Sequence, residues 1–288
     1  MMKKNLLVVL AILAFASSVF AGQSTITESE GKACMGDDKS RKQTEEAALT
    51  DAKKKAVEFA STYVTSETNV KNFVMEKDLV SAYANATVKI IQELGKSWYK
   101  DASSGDCYDI KIKAEVIPDE HAMTGLTKST AAIDDPLAPL SIKVWTDKKE
   151  YKSGDKIKVY IKGNKPFYAR IMYRDAGREL LQLLPNPYRS NNYFNGSTIY
   201  ELPSGDDKFN LEVSPPFGEE NVVVYASTVP LGEINTQTHG GVYQVKTHAA
   251  DIPVRTRGVK LIQKTDGNAV PPAVSEFSEE NVIVKTEK

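Results

Sequence analysis

Hydrophobic residues change period partway along the chain, and that change limits what it can fold into. From Lys42 to Val64 the apolar positions Leu49, Ala52, Ala56, Phe59, Ala60 and Tyr63 recur at steps of three and four. From Leu140 onward they alternate, Ile142 with Val144 and then Ile157, Val159 and Ile161. The first spacing lines up one stripe on a helix, and the second lines up one face of a strand. An α+β N-terminal part, a long helix on a small antiparallel sheet, followed by an all-β sandwich is therefore predicted. The predicted boundaries are 22–118 for the first part, 119–139 for a linker, 140–265 for the sandwich and 266–288 for a tail or appended strand.

Within the first part, Gly22 to Asp38 is poor in apolar residues. Thr44 followed by Glu45 and Glu46 suits a helix start, where an oxygen cap and negative charge are favoured. Glu46, Asp51, Lys54, Lys55 and Glu58 form the opposite, solvated face. Val70 to Phe73 and Thr87 to Ile90 are short β-prone runs, and 78–86 is compatible with a second short helix. Ile110, Ile112, Ala114 and Val116 alternate with Lys111, Lys113 and Glu115, as in a half-buried strand. A helix and a sheet bury each other's apolar faces, so stacking them is the economical arrangement.

Residues 1–21 read as a secretory signal: Lys3 and Lys4 precede the apolar stretch Leu6–Phe20, and Val19-Phe20-Ala21 supplies the cleavage site. A periplasmic or secreted chain starting at Gly22 is expected, with no transmembrane segment. Cys34 follows Gly31-Lys32-Ala33 and lacks the apolar neighbour that lipoprotein processing prefers. In an oxidising compartment, Cys34 and Cys107 are expected to form one disulfide. Closing a loop of that length stabilises by about 4 kcal/mol on a chain-entropy estimate. The formal charge of −1 becomes −3 without Lys3 and Lys4, and no basic cluster suited to nucleic acid stands out.

The Ala-rich run Glu45 to Ala52 continued by Ala56 and Ala60, the stretch Val64 to Thr68 and the strand Tyr108 to Val116 resemble the FlgT-like domain of flagellar assembly proteins and related envelope lipoproteins. The resemblance covers about residues 31–118 and implies an assembly or interaction module without catalysis. The further domains of the flagellar family are not apparent, so a flagellar role does not carry over.

Pro118, Gly125, Pro136 and Pro139 punctuate the expected linker, where His121 reads as a solvated residue. Beyond it, Tyr168–Tyr173, Leu180–Leu184, Lys208–Val213 and Val222–Ala226 read as strands, with Trp145 as a core residue. Val242–Val245 and Val259–Ile262 are expected to extend the sandwich, and Val282–Val284 belongs to the terminal segment. Tyr151-x-x-Gly154-Asp155, Asp175-Ala176-Gly177, Leu183-Leu184-Pro185-Asn186, Glu201-Leu202-Pro203 and Pro216-Phe217-Gly218-Glu219 follow in order. This pattern, over about 140–230, resembles a widespread bacterial β-sandwich family of unknown function. Such modules are often accessory domains beside kinases or caspase-like peptidases, and the resemblance brings no activity to any residue here. Leu184 stands where an aromatic is common.

The most unusual stretch is Pro185 to Gly196. Tyr188, Arg189, Asn191, Asn192 and Tyr193 combine flat aromatic area with adaptable hydrogen bonding, the composition of recognition loops. The alternative is an ordered turn built on Asn186 and Asn195, with Phe194 plugging the core. If the loop is a partner surface, Tyr188 and Arg189 stand exposed and Phe194 points inward.

No GxSxG elbow, HExxH, Gly-rich phosphate loop or SxxK occurs. His121, His239 and His248 are scattered, and Asp37-Asp38, Asp134-Asp135 and Asp206-Asp207 lack EF-hand spacing. No catalytic residue, metal site or cofactor is expected. The expectation is a non-enzymatic interaction or assembly protein, with an envelope protein or cell-wall component as partner. A carbohydrate or cell-wall binding module using the 185–196 loop is the first alternative. A hydrolase whose carboxylates assemble only on folding is the second.

Overall fold

The computed structural model describes residues 22–67, 73–127, 134–239, 241–257 and 274–288. Residues 1–21, expected to be a secretory signal, and the expected runs Val70–Asn72 and Val259–Ile262 lie outside them.

The first half is a helix-covered antiparallel sheet, built from β1 (Gln23–Cys34), α1 (Arg41–Glu67), α2 (Phe73–Ala84), β2 (Thr87–Asp101), β3 (Gly105–Ile117) and α3 (Glu120–Thr127). The apolar-poor lead-in is thus a strand, and β1 pairs along most of its length with β3. Several of its buried polar side chains are satisfied from elsewhere in the chain. Ser29 Oγ donates to the Ala52 carbonyl at 2.8 Å, and Thr25 Oγ1 lies 2.6 Å from the Tyr83 hydroxyl. Cys34 and Cys107 face each other in the β1–β3 register and form the disulfide, across 73 positions of sequence.

Helix α1 starts earlier than expected. Ser40 and Gln43 form a capping box, in which Gln43 N donates to Ser40 Oγ at 3.3 Å and Ser40 N to Gln43 Oε1 at 2.8 Å. Thr44, expected as the cap, is buried inside the first turn. The buried stripe is Ala48, Ala52, Ala56, Ala60 and Val64, at strict four-residue steps, while Phe59 is exposed. Small side chains win because the helix backbone lies directly on β1. A Cβ on Gly31 would stand 2.0 Å from the Ala48 carbonyl oxygen and 2.3 Å from the Ala52 nitrogen. Backbone cannot swing aside as a side chain can, so Gly31→Ala is expected to destabilise by about 3 kcal/mol, the upper end of ordinary overpacking. Equilibrium denaturation tests this, and a loss below about 0.5 kcal/mol contradicts the close packing.

Residues 119–139, expected as a linker, carry α3, whose His121 is exposed. Residues 135–139 are held by Asn164, whose Nδ2 lies within 3.1 Å of the carbonyls of Asp135, Ala138 and Pro139.

The second half contains β4 (Ile142–Thr146), β5 (Glu150–Lys152), β6 (Val159–Gly163), β7 (Phe167–Arg174), β8 (Leu180–Leu184), β9 (Tyr193–Phe194) and β10 (Ile199–Leu202). It continues through β11 (Glu219–Ser227), β12 (Thr236–His239), β13 (Val242–Val245), α4 (Ile252–Thr256) and β14 (Ser275–Glu287). A three-stranded sheet, β10-β6-β4, faces a large sheet that is antiparallel except where β5 pairs parallel with β14. Between them lies a core that includes Ile142, Ile161, Phe167, Ile171, Leu184 and Val224. Trp145, expected inside, sits on the outer face of β4, half-exposed and stacked on Tyr160 with ring centroids 5.6 Å apart. Residues 208–213 form no regular strand and bridge to the 154–157 segment through single backbone bonds.

The two halves share the large sheet, whose order is β12-β13-β8-β7-β11-β14-β1-β3-β2. The terminal segment therefore supplies an interior strand, β14, paired with β11 on one side and β1 on the other. Register places α1 and the three-stranded sheet on the same face. On the opposite face Ile26, Met172, Val223, Tyr225 and Phe277 pack under Ile252 of α4.

Candidate binding site

The 185–196 loop leaves β8 and is pinned within four residues. Asn186 Nδ2 donates to the Leu183 carbonyl at 2.7 Å, and its Oδ1 accepts from Tyr188 N and Arg189 N, both at 2.8 Å. That is the Asx geometry a buried Asn can close on its own. Arg189, expected to stand exposed if the loop is a partner surface, is tied down: its Nη1 lies 3.1 Å from Asp207 Oδ2, and its guanidinium is 5.5 Å from the Phe194 ring. Asn191 Oδ1 accepts from Tyr193 N at 3.1 Å, and Asn192 Nδ2 donates to the Ala169 carbonyl at 3.0 Å. These three residues organise the loop.

What the loop presents is aromatic. Tyr188 is 55% exposed and Tyr193 43%, whereas Phe194 is 1% exposed, between Phe167 and Tyr200. Phe194→Ala is expected to destabilise by about 3–5 kcal/mol, as for large aromatic truncations in cores. Tyr188→Ala is expected to stay within about 0.5 kcal/mol. Denaturant midpoints of the two variants test this separation, and equal losses contradict it.

One cavity adjoins the loop, and a larger one shares Leu183, Asn210, Leu211 and Val242 with it. The smaller, 250 Å³, is lined by Tyr188, Phe209, Gln182 and Gly241 among others. Tyr188 and Phe209 are stacked, with ring centroids 6.3 Å apart. Gly241 has a φ of +84°, and a Cβ there would meet the Tyr188 hydroxyl at 2.4 Å, so only glycine suits the position. Gln182 is buried; its Nε2 donates to the Pro185 carbonyl, and its Oε1 has no partner.

The larger cavity, 380 Å³, lies between the sheets, with Ile157, Val159, Leu181, Leu183, Leu211 and Val222 on its walls. Asp175, Glu179, Glu212 and Glu220 also line it. The Tyr173 hydroxyl donates to the Glu220 carboxylate. Burial, reinforced by that carboxylate, pushes the Tyr173 phenol far above its usual value, so it remains a proton donor. Among the described residues, no group of three His, Cys, Asp or Glu is placed to hold a metal. Two of the acidic dipeptides serve local structure: Asp207 holds Arg189, Asp134 pairs with Lys162, and Asp135 Oδ1 accepts from Leu137 N.

Residue composition singled out the exposed tyrosines. It missed Gln182, Tyr173 and Glu220, because Gln182 and Tyr173 sit in ordinary strand sequence and Tyr173 meets Glu220 from 47 positions away.

Residues 150–230 match a family described as a domain of unknown function, DUF4384. The match runs from β5 through β11 and includes the loop, Tyr173 and Glu220. No curated protein matches the chain.

Proposed function

We propose that this chain is a non-enzymatic interaction protein of a bacterial envelope, which engages an envelope protein through the 185–196 loop. The observation that carries the reading is a fixed backbone beneath two displayed rings. Asn186 and the Arg189–Asp207 pair hold the loop, while Tyr188 and Tyr193 are left exposed. Rigid aromatic groups bind at low cost in conformational entropy. A periplasmic or secreted location is supported by the signal-like residues 1–21 and by the disulfide, which persists in oxidising compartments. No helix among the described residues is long and apolar enough to cross a membrane. The resemblance of residues 31–118 to FlgT-like envelope modules points the same way.

Cross-linking in intact envelopes, followed by affinity recovery, tests the proposal. A discrete partner recovered with the natural protein and lost with Tyr188→Ala plus Tyr193→Ala is the expected result. An unchanged set of cross-links overturns it.

One observation favours a second reading, a carbohydrate or cell-wall ligand. The Gln182 Oε1 acceptor is unsatisfied in a cavity that Tyr188 also lines. A hydroxyl-bearing ligand could supply the missing donor and lay a sugar face on the ring. Retention on peptidoglycan or a glycan array that vanishes with the same double variant would select this reading.

A further inference from the structure

Four glutamates are nearly withdrawn from water: Glu115 at 4% exposure, Glu220 at 3%, Glu276 at 3% and Glu279 at 8%. Three have a cation beside them. Arg257 Nε lies 2.5 Å from Glu115 Oε1, Arg257 Nη2 3.3 Å from Glu279 Oε2, and Lys165 Nζ 2.9 Å from Glu276 Oε1. Glu220 is the exception. It accepts from the neutral Tyr173 hydroxyl, and no ion pair among the described residues includes it. Withdrawing a carboxylate from water without a counter-charge is among the costliest arrangements a fold can hold.

Position adds a second, independent indication. Strand alternation puts Glu220 on the same face of β11 as Val222 and Val224, toward the sandwich interior, and it lines the 380 Å³ cavity. The walls are predominantly aliphatic, and the ionisable groups lining the cavity, Asp175, Glu179, Glu212, Glu220 and Tyr173, include no Lys, Arg or His. Such a space offers burial to an apolar body and an attractive field only to a positive head.

We propose that this cavity binds a small amphiphile carrying a primary ammonium group, with the ammonium on Glu220 and the apolar part against Ile157, Leu181, Leu211 and Val222. The ammonium supplies the counter-charge that the chain itself does not. Tyr173 holds the carboxylate by donating to one oxygen. The site is separate from the exposed rings of Tyr188 and Tyr193.

The test is a titration of the folded protein with n-hexylammonium, n-hexanol and n-hexanoate, followed by amide chemical shifts and thermal midpoint. Hexylammonium is expected to saturate, shift resonances on β8 and β11 and raise the midpoint. Hexanol can still donate to the carboxylate but brings no charge, so it should bind about tenfold more weakly, and hexanoate not at all. Glu220→Gln should remove the preference of hexylammonium over hexanol. Equal binding of hexanoate, no binding of hexylammonium, or a preference that survives Glu220→Gln overturns the proposal. The three-ligand comparison on the natural protein decides the matter even if Glu220→Gln does not fold. Tyr188→Ala plus Tyr193→Ala should leave hexylammonium binding unchanged, so failure of the loop reading and failure of this one are distinguishable.

Discussion

A chain lacking residues 275–288 is expected not to fold. Those residues include β14, which lies between β11 and β1 and joins the two halves of the large sheet. Phe277 and Val284 are fully withdrawn from water on it, each contributing about 1.5–3 kcal/mol by burial. Removing the strand also strips ladder hydrogen bonds from both neighbours and exposes their edges. Against a total stability of about 5–15 kcal/mol for an ordinary domain, that loss is decisive. Far-UV circular dichroism during heating measures it. A truncated chain that melts cooperatively within a few degrees of the full one would show that the two halves stand without their shared strand.

Arg257→Leu is expected to cost about 3–5 kcal/mol at neutral pH, the usual penalty for stripping one partner from a buried charge cluster. Arg257 lies just beyond α4, binds Glu115 and Glu279, and sits 4.1 Å above the Phe277 ring. Ser24 also donates to Glu115, at 2.6 Å, so the cluster ties β1, β3 and β14 to the segment that caps them. Glu279 already titrates above its ordinary value. Desolvation raises it, and Arg257 partly offsets that through its charge and hydrogen bond. Without the arginine the offset disappears and the folded-state value rises further. A carboxyl whose folded value exceeds its unfolded one destabilises at higher pH, and the cost fades as pH falls toward the unfolded value. The variant's deficit should therefore shrink between pH 7 and pH 5. Denaturant titrations at both pH values test this, and a deficit that is constant or grows on acidification contradicts it.

The legible parts of this fold were those with a local signature. The α1 segment and the Tyr108–Val116 strand announced themselves through spacing, as did β4, β7 and β11. The disulfide followed from two cysteines in a chain read as secreted. Within the loop, composition pointed to Tyr188 and Tyr193 as display residues and to Phe194 as the anchor. The anchoring of Arg189 is not legible in the loop, because its partner, Asp207, stands 18 positions away. Apolar size alone places Phe59 in the helix stripe, yet it is exposed, since closeness of the backbones decides which side chains fit. Close approach to Gly31 selects alanine at positions 48 and 52 instead.

The strands β1 and β14 mark the boundary of what a linear reading reaches. Ser24, Thr25, Thr27 and Ser29 on one, and Ser275, Glu276, Ser278 and Glu279 on the other, are buried polar residues that break the apolar alternation. Several are satisfied by distant groups: Glu115 for Ser24, Tyr83 for Thr25, Lys165 for Glu276 and Arg257 for Glu279. Helix or strand character follows from backbone geometry acting over a few residues, so it was written in the order of side chains. Strand neighbours, and the burial of a carboxylate such as Glu220, depend on pairings across the whole chain, because a polar group can be buried only where folding delivers its partner or leaves a place for one.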